Sequence, residues 1–559
     1  MDTFAHSRNG AASDASTCAR NGAAHAVELE LTIERMSYGA DAIAHTTDGK
    51  TVFVSGGAVP RDTVRARLTD DGERFSRAVL TEILEPSPER VTSPLPFVAL
   101  TGAAPWGNMT YESQLREKKA GVVSALERIG HFSPKETSEL MRDIVAPGEP
   151  WGYRNKIELA FKRVGRKTLV GMYAPNGQDI VRIKDCPLLD KAHEKIVGAV
   201  SGALSYLSGS HELDIERIGI RASRRTKDVE VALWTAPGGF PRAQVARVLE
   251  DATGATSIVR VMAKGPSKAR RIAGVERLSG AGSWSELIGD ERMRVSAPSF
   301  FQVNTKGAEK LVELVLSALD VRDSDEAMDL YCGAGTFTLP LARRAGFVSA
   351  VESYGPAVRD LRRNLEDAGL SNVDAIGGDA GRSFPDTDAD VIVVAPPRAG
   401  LAPDVVKRLS EQSARAIAYV SCDPATLARD LRRFVDAGTF RPVSVTPVDL
   451  FPQTFHMENV CLLVLRNPVT HINIDVDVDV EEMVRDKRGA ATYEQIRDYV
   501  KEQTGLHVTN LNIAQIKRKC RIIKRQNYNL PKSEDSKQPN CTKEKEDAIM
   551  EAFKHFGLL

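Results

Sequence analysis

From about residue 295 to residue 467 one unit recurs: a short apolar run, a turn of small residues, then a stretch with helical period. EAMDLYCGAG leads into TFTLPLARRAG, FVSAVES into GPAVRDLRRNLEDAG, DVIVVAPPRAG into LAPDVVKRLSE, and AIAYVSC into DPATLARDLRRFVDAG. Strands that are apolar throughout are covered on both faces, and helices between them impose parallel pairing. The expected architecture is therefore an α/β, Rossmann-like, doubly wound sheet, whose ligands lie beyond the carboxyl ends of its strands. Cys422, in YVSCDPATLARD, falls at one of those ends. A cysteine there reads either as a small core residue or as a nucleophile.

That unit covers less than half of a 559-residue chain, and a chain of this length is expected to divide into about three or four domains. Residues 1–26 lack an apolar core and read as a disordered leader. Residues 27–88 alternate (VELELTIERM, TVFVSGGAV, DTVRARL, SRAVLTEIL) between turn clusters, as in a small OB-like β-barrel. Arg65, Arg67, Arg74 and Arg77 on it form either a solvated face or a nucleic-acid contact. EPSPERVTSPLP reads as a linker. Residues 89–290 mix strands and helices, including a helix near 113–130 that is expected to pack on the catalytic unit of residues 291–467.

Residues 468–559 read as a basic helical extension, tethered by INIDVDVDVEE. Thr492–Gln495 has capping-box form before the helix YEQIRDYVKEQTG, and HVTNLNIAQIKRKC supplies a second helix. Lys517, Arg518, Lys519, Arg521, Lys524 and Arg525 make that second helix a candidate basic recognition helix.

Lys+Arg and Asp+Glu are equal at 75, so any polyanion site must come from local clustering. Seven scattered cysteines without a CxxC pair argue against a zinc ribbon or a disulfide scaffold and point to a reducing, cytoplasmic setting. No apolar run has the length of a membrane span. No metal site is expected.

The loop Asp329-Leu-Tyr-Cys-Gly-Ala-Gly335 follows a strand and precedes a helix, and Glu352 ends the next strand. Glycines there admit close backbone approach, and an acid at the second strand's end is placed to hold a ribose diol. Phe337 and Thr338 stand where a dinucleotide fingerprint would continue, so the loop fits S-adenosylmethionine better than NAD. Tyr331, Gly333, Gly335, Thr336 and Glu352 are the cofactor candidates, and Cys332 reads as packing. Asp379, in IGGDA, is placed either to face an adenine ring or to cap a turn.

The set SFFQVN (299–304), DLYCGAGTFTLPLA (329–342), APPRAGL (395–401), YVSCDPATLARDL (419–431) and FPQTFHMENVCLL (451–463) closely resembles, in order and spacing, the bacterial RNA (uracil-C5)-methyltransferases. The resemblance is to the branch acting on 23S ribosomal RNA, which carries an N-terminal RNA-binding TRAM domain that residues 27–91 resemble. It covers about residues 27–467. It implies S-adenosylmethionine as cofactor, RNA as partner, a monomer, and Cys422 as the nucleophile that adds to C6 of a uridine. It further implies Glu458 as the base, Gln302 as a cofactor and base contact, and Phe300 as the aromatic that stacks on the target base. Arg154 and Lys156 match an RNA-contacting strand whose plain alternative is a solvated surface strand, and Arg398 is a further substrate contact. A helix start behind Cys422, with Asp423 as cap and Pro424 at the first position, is expected to favour its thiolate.

Three departures accompany the resemblance. Ala395 stands where the family has Asp in Asp-Pro-Pro-Arg, and Thr336 where it has Asn. The segment LTGAAPWGNMTYESQLREKK holds none of the cysteines with which many relatives bind an iron–sulfur cluster, so no cluster is expected. Two other functions stay open: an RNA-binding or ribosome-assembly factor with a weakened site, and a transfer-RNA uridine methyltransferase.

Overall fold

The computed structural model describes residues 27–93, 101–164, 167–265, 271–466, 493–506, 508, 510–520 and 542–559. The expected leader, the acidic tether, the last residues of the linker, Thr492 of the capping box, and Arg521, Lys524 and Arg525 lie outside the described residues.

The apolar runs after residue 325 become a seven-stranded sheet: β1 (Glu326–Leu330), β2 (Phe347–Glu352), β3 (Val373–Gly377), β4 (Val391–Val394), β5 (Ala416–Ser421), β6 (Phe440–Val448) and β7 (Glu458–Leu465). Their order is β3-β2-β1-β4-β5-β7-β6. β1 to β5 are parallel, and β7 inserts antiparallel between β5 and β6. This is the Rossmann-like fold expected. The order reverses between β1 and β4, so the ligand crevice opens at their carboxyl ends. One face buries Leu311, Val315 and Leu341 over Val348, Val391 and Ala418, and the other buries Leu427, Leu431 and Phe434 over Ile392, Ile417 and Tyr419.

The early helix, Tyr111–Arg128, belongs to that second layer. Val122 and Leu126 share a core with Leu427, Leu431 and Phe434 of the helix Pro424–Ala437. A fully buried ion pair, Lys118 Nζ to Asp449 Oδ1 at 2.5 Å, ties it to the end of β6, and Lys118 also donates to the Phe451 carbonyl.

Residues 28–85 form a six-stranded sheet around Leu31, Ile33, Val52, Val54 and Val64. The segment after it is not a loose tether where it is described. Arg90 is ion-paired to buried Asp62, and Glu89 accepts from Ser113 Oγ on the early helix. A second seven-stranded mixed sheet spans residues 156–280, with the helices Ile196–Leu207 and Arg242–Thr253 packed on it. At the far end, the helices Tyr493–Thr504, Asn510–Lys519 and Lys543–His555 enclose Ile496, Val500, Ile513, Ile549 and Phe553. Among the described residues no helix is long and apolar enough to cross a membrane.

Candidate active site

Antiparallel pairing of β5 with β7 sets Ser421 opposite Asn459. One step further along each strand brings Cys422 beside Glu458, on the same face because side chains alternate. The next strand end in the sheet is that of β4, which leads into Ala395-Pro-Pro-Arg398. Asp430, buried on the helix behind Cys422, fixes this corner. Its Oδ2 accepts from Tyr419 Oη at 2.9 Å and from the Leu401 amide at 2.8 Å.

Glu458 is buried. Burial pushes its pKa up to about 8, against a pull from the Arg398 guanidinium. A carboxyl poised there suits a general base working near neutral pH. The Cys422 thiol is pushed up to about 12, first by burial and then by Glu458, while Arg398 draws it down. This corrects the expectation of a dipole-favoured thiolate. Asp423 spends its own carboxylate on the helix start, accepting from the Ala425 and Thr426 amides at 3.0 and 2.9 Å. The first-turn N–H groups are thus answered, and the negative charge stands beside the sulfur. Arg398 is the cation that favours both ionised forms. It faces His456, whose pKa is held down at about 3 by burial and by Arg398.

On the other side of the crevice, the turn after β1 carries three left-handed residues, Tyr331 (φ 65°), Gly333 (φ 59°) and Gly335 (φ 102°). Only glycine is free of strain there, so Tyr331 stores strain of order 1 kcal/mol in the ligand loop. A Cβ on Gly335 would come within 2.6 Å of Leu339 and 2.7 Å of Leu361. Glu352 ends β2 as expected and orients the loop. It accepts from the Gly333 amide at 3.0 Å and the Tyr354 amide at 2.6 Å, which leaves lone pairs for hydroxyl groups. Thr336 is half-buried at the same turn. Asp379 is exposed, and its Oδ1 caps the turn at Gly381, the plainer of its two readings. Cys332 is buried in the core with Leu339 and Leu361, the packing role expected of it.

Two buried oxygens in this region have no partner: Gln302 Oε1 and Asp329 Oδ1. Gln302 stands on a braced segment. Asn155 Nδ2 donates to its carbonyl, and Asn304 caps the next helix while donating to the Leu450 carbonyl. Of the neighbouring phenylalanines, Phe301 is buried edge-on against Trp284, while Phe300 is 61% exposed and open to a ligand.

Arg154 and Lys156, expected on an RNA-contacting or a solvated surface strand, are placed differently from one another. The strand begins only at Lys156, whose ammonium pairs with Glu158 at 2.8 Å. Arg154 precedes it, with its guanidinium donating to Tyr153 Oη and lying over that ring. Arg65 and Arg77 are likewise paired, with Glu82 and Asp41.

Three residues at the site carried no sequence signal that set them apart: Tyr38, Phe455 and His456. Tyr38 Oη lies 3.4 Å from the Cys422 carbonyl, and its ring meets Phe455 edge-on at 5.9 Å. Phe455 in turn lies 4.0 Å from His456.

The family model described as tRNA (uracil-5-)-methyltransferase matches residues 288–384 and 380–466. An uncharacterized RNA methyltransferase of Gloeobacter violaceus is 33% identical over 448 residues, covering 78% of this chain and 96% of that protein. One from Thermosynechococcus vestitus is 31% identical over 445 residues, covering 78% and 97%. Among solved structures, the Pyrococcus abyssi tRNA (uracil-54, C5)-methyltransferase in complex with S-adenosyl-L-homocysteine superimposes with a TM-score of 0.61 at 25% identity, covering 78% of this chain and all of that one.

Proposed function

Because the chain belongs to the RNA (uracil-5-)-methyltransferase family, we propose that it methylates C5 of a uridine in 23S ribosomal RNA through a covalent Cys422–C6 adduct, with S-adenosylmethionine as donor. The observation that carries this reading is the register that sets Cys422 beside Glu458 at the carboxyl edge of the sheet, with the glycine loop at the other side of the same crevice.

The residues fit the cofactor. The unpartnered Gln302 Oε1 is an acceptor for an ammonium group, Glu352 has lone pairs for a diol, and the turn Tyr331–Thr336 admits close approach, with Asp379 at its rim. Bound there, S-adenosylmethionine supplies a methyl group activated by a sulfonium centre. Replacing Gln302 with Leu removes a buried oxygen whose lack of a partner costs about 1–3 kcal/mol. Gln302→Leu is therefore expected to raise the melting temperature of the free protein while weakening S-adenosylmethionine binding about tenfold or more. Calorimetry and thermal denaturation on one preparation read both.

C5 of uracil is a weak nucleophile until C6 is attacked. Cys422 Sγ, as thiolate, adds to C6, and the C5=C6 π pair moves into the enolate, so C5 can take the methyl group. Glu458 then removes the C5 proton. The C5–H pair re-forms the double bond, the C6–S bond breaks, and the thiolate is regenerated. Phe300 is placed to stack on the extruded base, and Arg398 to favour the ionised thiol and carboxyl while facing the strand. The chain beside them braces the segment at 302–305, through Asn155 to the Gln302 carbonyl, and Arg154 and Lys156 at its edge are candidate RNA contacts.

Ala395 supports a second reading, a weakened enzyme retained for RNA binding, and the Pyrococcus relative keeps transfer RNA open as substrate. Mapping 5-methyluridine by mass in 23S ribosomal RNA and transfer RNA from cells with and without the gene separates these. Cys422→Ala is expected to lower methyl transfer on the order of 10⁴-fold or more while cofactor binding persists. Full activity in that variant sinks the adduct. Methyl transfer that appears only after Ala395→Asp favours the weakened enzyme.

A further inference from the structure

Tyr38 is separated from Cys422 by 384 positions in sequence, yet it stands at the nucleophile's side. It sits in the turn 37–41 of the N-terminal β domain, which is closed by Ser37 donating to the Asp41 carbonyl. That turn is built into the site. Trp106 Nε1 donates to the Gly39 carbonyl, the Met36 amide donates to Glu117 on the early helix, and the Trp106 amide donates to the Gln453 carbonyl. Gln453 and Gln114 exchange two hydrogen bonds at 2.8 and 2.9 Å. The same scaffold therefore holds Tyr38 and the loop that carries Phe455 and His456 and leads into Glu458. Despite these contacts Tyr38 stays 43% exposed. Three rings in series, Tyr38, Phe455 and His456, end at the Arg398 guanidinium.

We propose that Tyr38, with Phe455, stacks on the nucleobase that neighbours the target uridine, so that the β domain supplies one wall of the catalytic pocket. Stacking on an exposed ring accepts any base, which suits a neighbour rather than the base that reacts. Phe300, on the opposite segment, is left for the uridine. A base drawn out of its stack exposes the faces of its neighbours, and the wall covers one of them. Because the turn is fixed before RNA arrives, little ordering is needed on binding. The inference rests on the methyltransferase reading for RNA as the ligand. Tyr38 is a positioning residue here; it takes no part in the bond changes.

The test uses the full chain and a short fluorescein-labelled oligouridine RNA, with binding read by anisotropy and S-adenosylmethionine affinity read in parallel. Tyr38→Ala is expected to weaken RNA binding about tenfold or more, and Tyr38→Phe to stay within about twofold, with cofactor affinity unchanged in both. Unchanged RNA binding in Tyr38→Ala overturns the wall. So does a loss in Tyr38→Phe equal to that in Tyr38→Ala, since the hydroxyl contact to the Cys422 carbonyl would then be what matters. Tyr38→Leu, which keeps apolar bulk in the turn, must show the loss too, or the Ala effect is one of folding. Binding is read without methyl transfer, so a failure of the Cys422 chemistry shows in the Cys422→Ala assay and not here.

Discussion

Glu458→Gln is expected to leave the protein covalently joined to its RNA. The thiolate can still add to C6 and C5 can still be methylated, but an amide cannot take the C5 proton, so the C6–S bond does not break. Turnover should fall by roughly 10²–10⁴-fold, the range for loss of a positioned base. A band that migrates as protein plus RNA should persist under denaturing electrophoresis and should be absent in Cys422→Ala. Free RNA alone, with turnover near that of the wild type, would remove Glu458 from the role of base.

The same group sets the pH dependence. Glu458 accepts a proton only when ionised, and burial holds its pKa at about 8. Turnover of the wild type should therefore rise with pH through about 8 and go on rising less steeply above it, since the Cys422 thiol must also ionise. Stability moves the other way. The unfolded chain releases this proton near 4.5 and the folded chain near 8, so the folded state binds it more tightly in between. Stability is full below that window and is lost as pH rises through it. Gln carries no proton to lose, so Glu458→Gln should melt higher than wild type at pH 8.5 and alike at pH 5. That difference also shows that the variant is folded.

How much of this was legible before the structure depended on the range of the forces involved. β1 to β5 could be read because each strand is covered on both faces and writes its burial into a local apolar run. The residues at their carboxyl ends, Cys422, Glu352 and the glycine turn, followed from that rhythm. The antiparallel insertion of β7 did not, because pairing with β5 is a tertiary choice, and it is this pairing that sets Glu458 beside Cys422. The thiolate expectation failed on one residue. Asp423 was read as a cap, but its carboxylate both uses the amides of the helix start and adds a charge next to the sulfur. Arg154 reads in sequence as an RNA contact or a solvated strand residue, and that its guanidinium turns back onto the adjacent Tyr153 is a side-chain conformation that sequence does not write. Tyr38 had no local signal at all, since its role depends on contacts with a loop near the other end of the folded region.

The largest expected effect on folding comes from the pair beneath that loop. Lys118 and Asp449 are both fully buried, and each is compensated chiefly by the other. Lys118→Met leaves the Asp449 carboxylate buried without its cation, and Asp449 Oδ2 already lacks a hydrogen-bond partner. Breaking a buried pair from one side costs about 3–5 kcal/mol, whereas replacing both members with apolar groups of similar volume is often neutral or stabilising. Lys118→Met is therefore expected to lose about 3–5 kcal/mol in urea denaturation, and Lys118→Met/Asp449→Leu to recover most of it. The pair also joins the early helix to the loop 449–456 through the Phe451 carbonyl, and that loop leads directly into Glu458. If the ion pair positions the base, the double variant should fold with wild-type stability but keep a reduced kcat, with an unchanged KM for S-adenosylmethionine. Full recovery of kcat along with stability would show that packing alone holds the loop, and that the charges there are a cost the fold tolerates rather than a device the reaction needs.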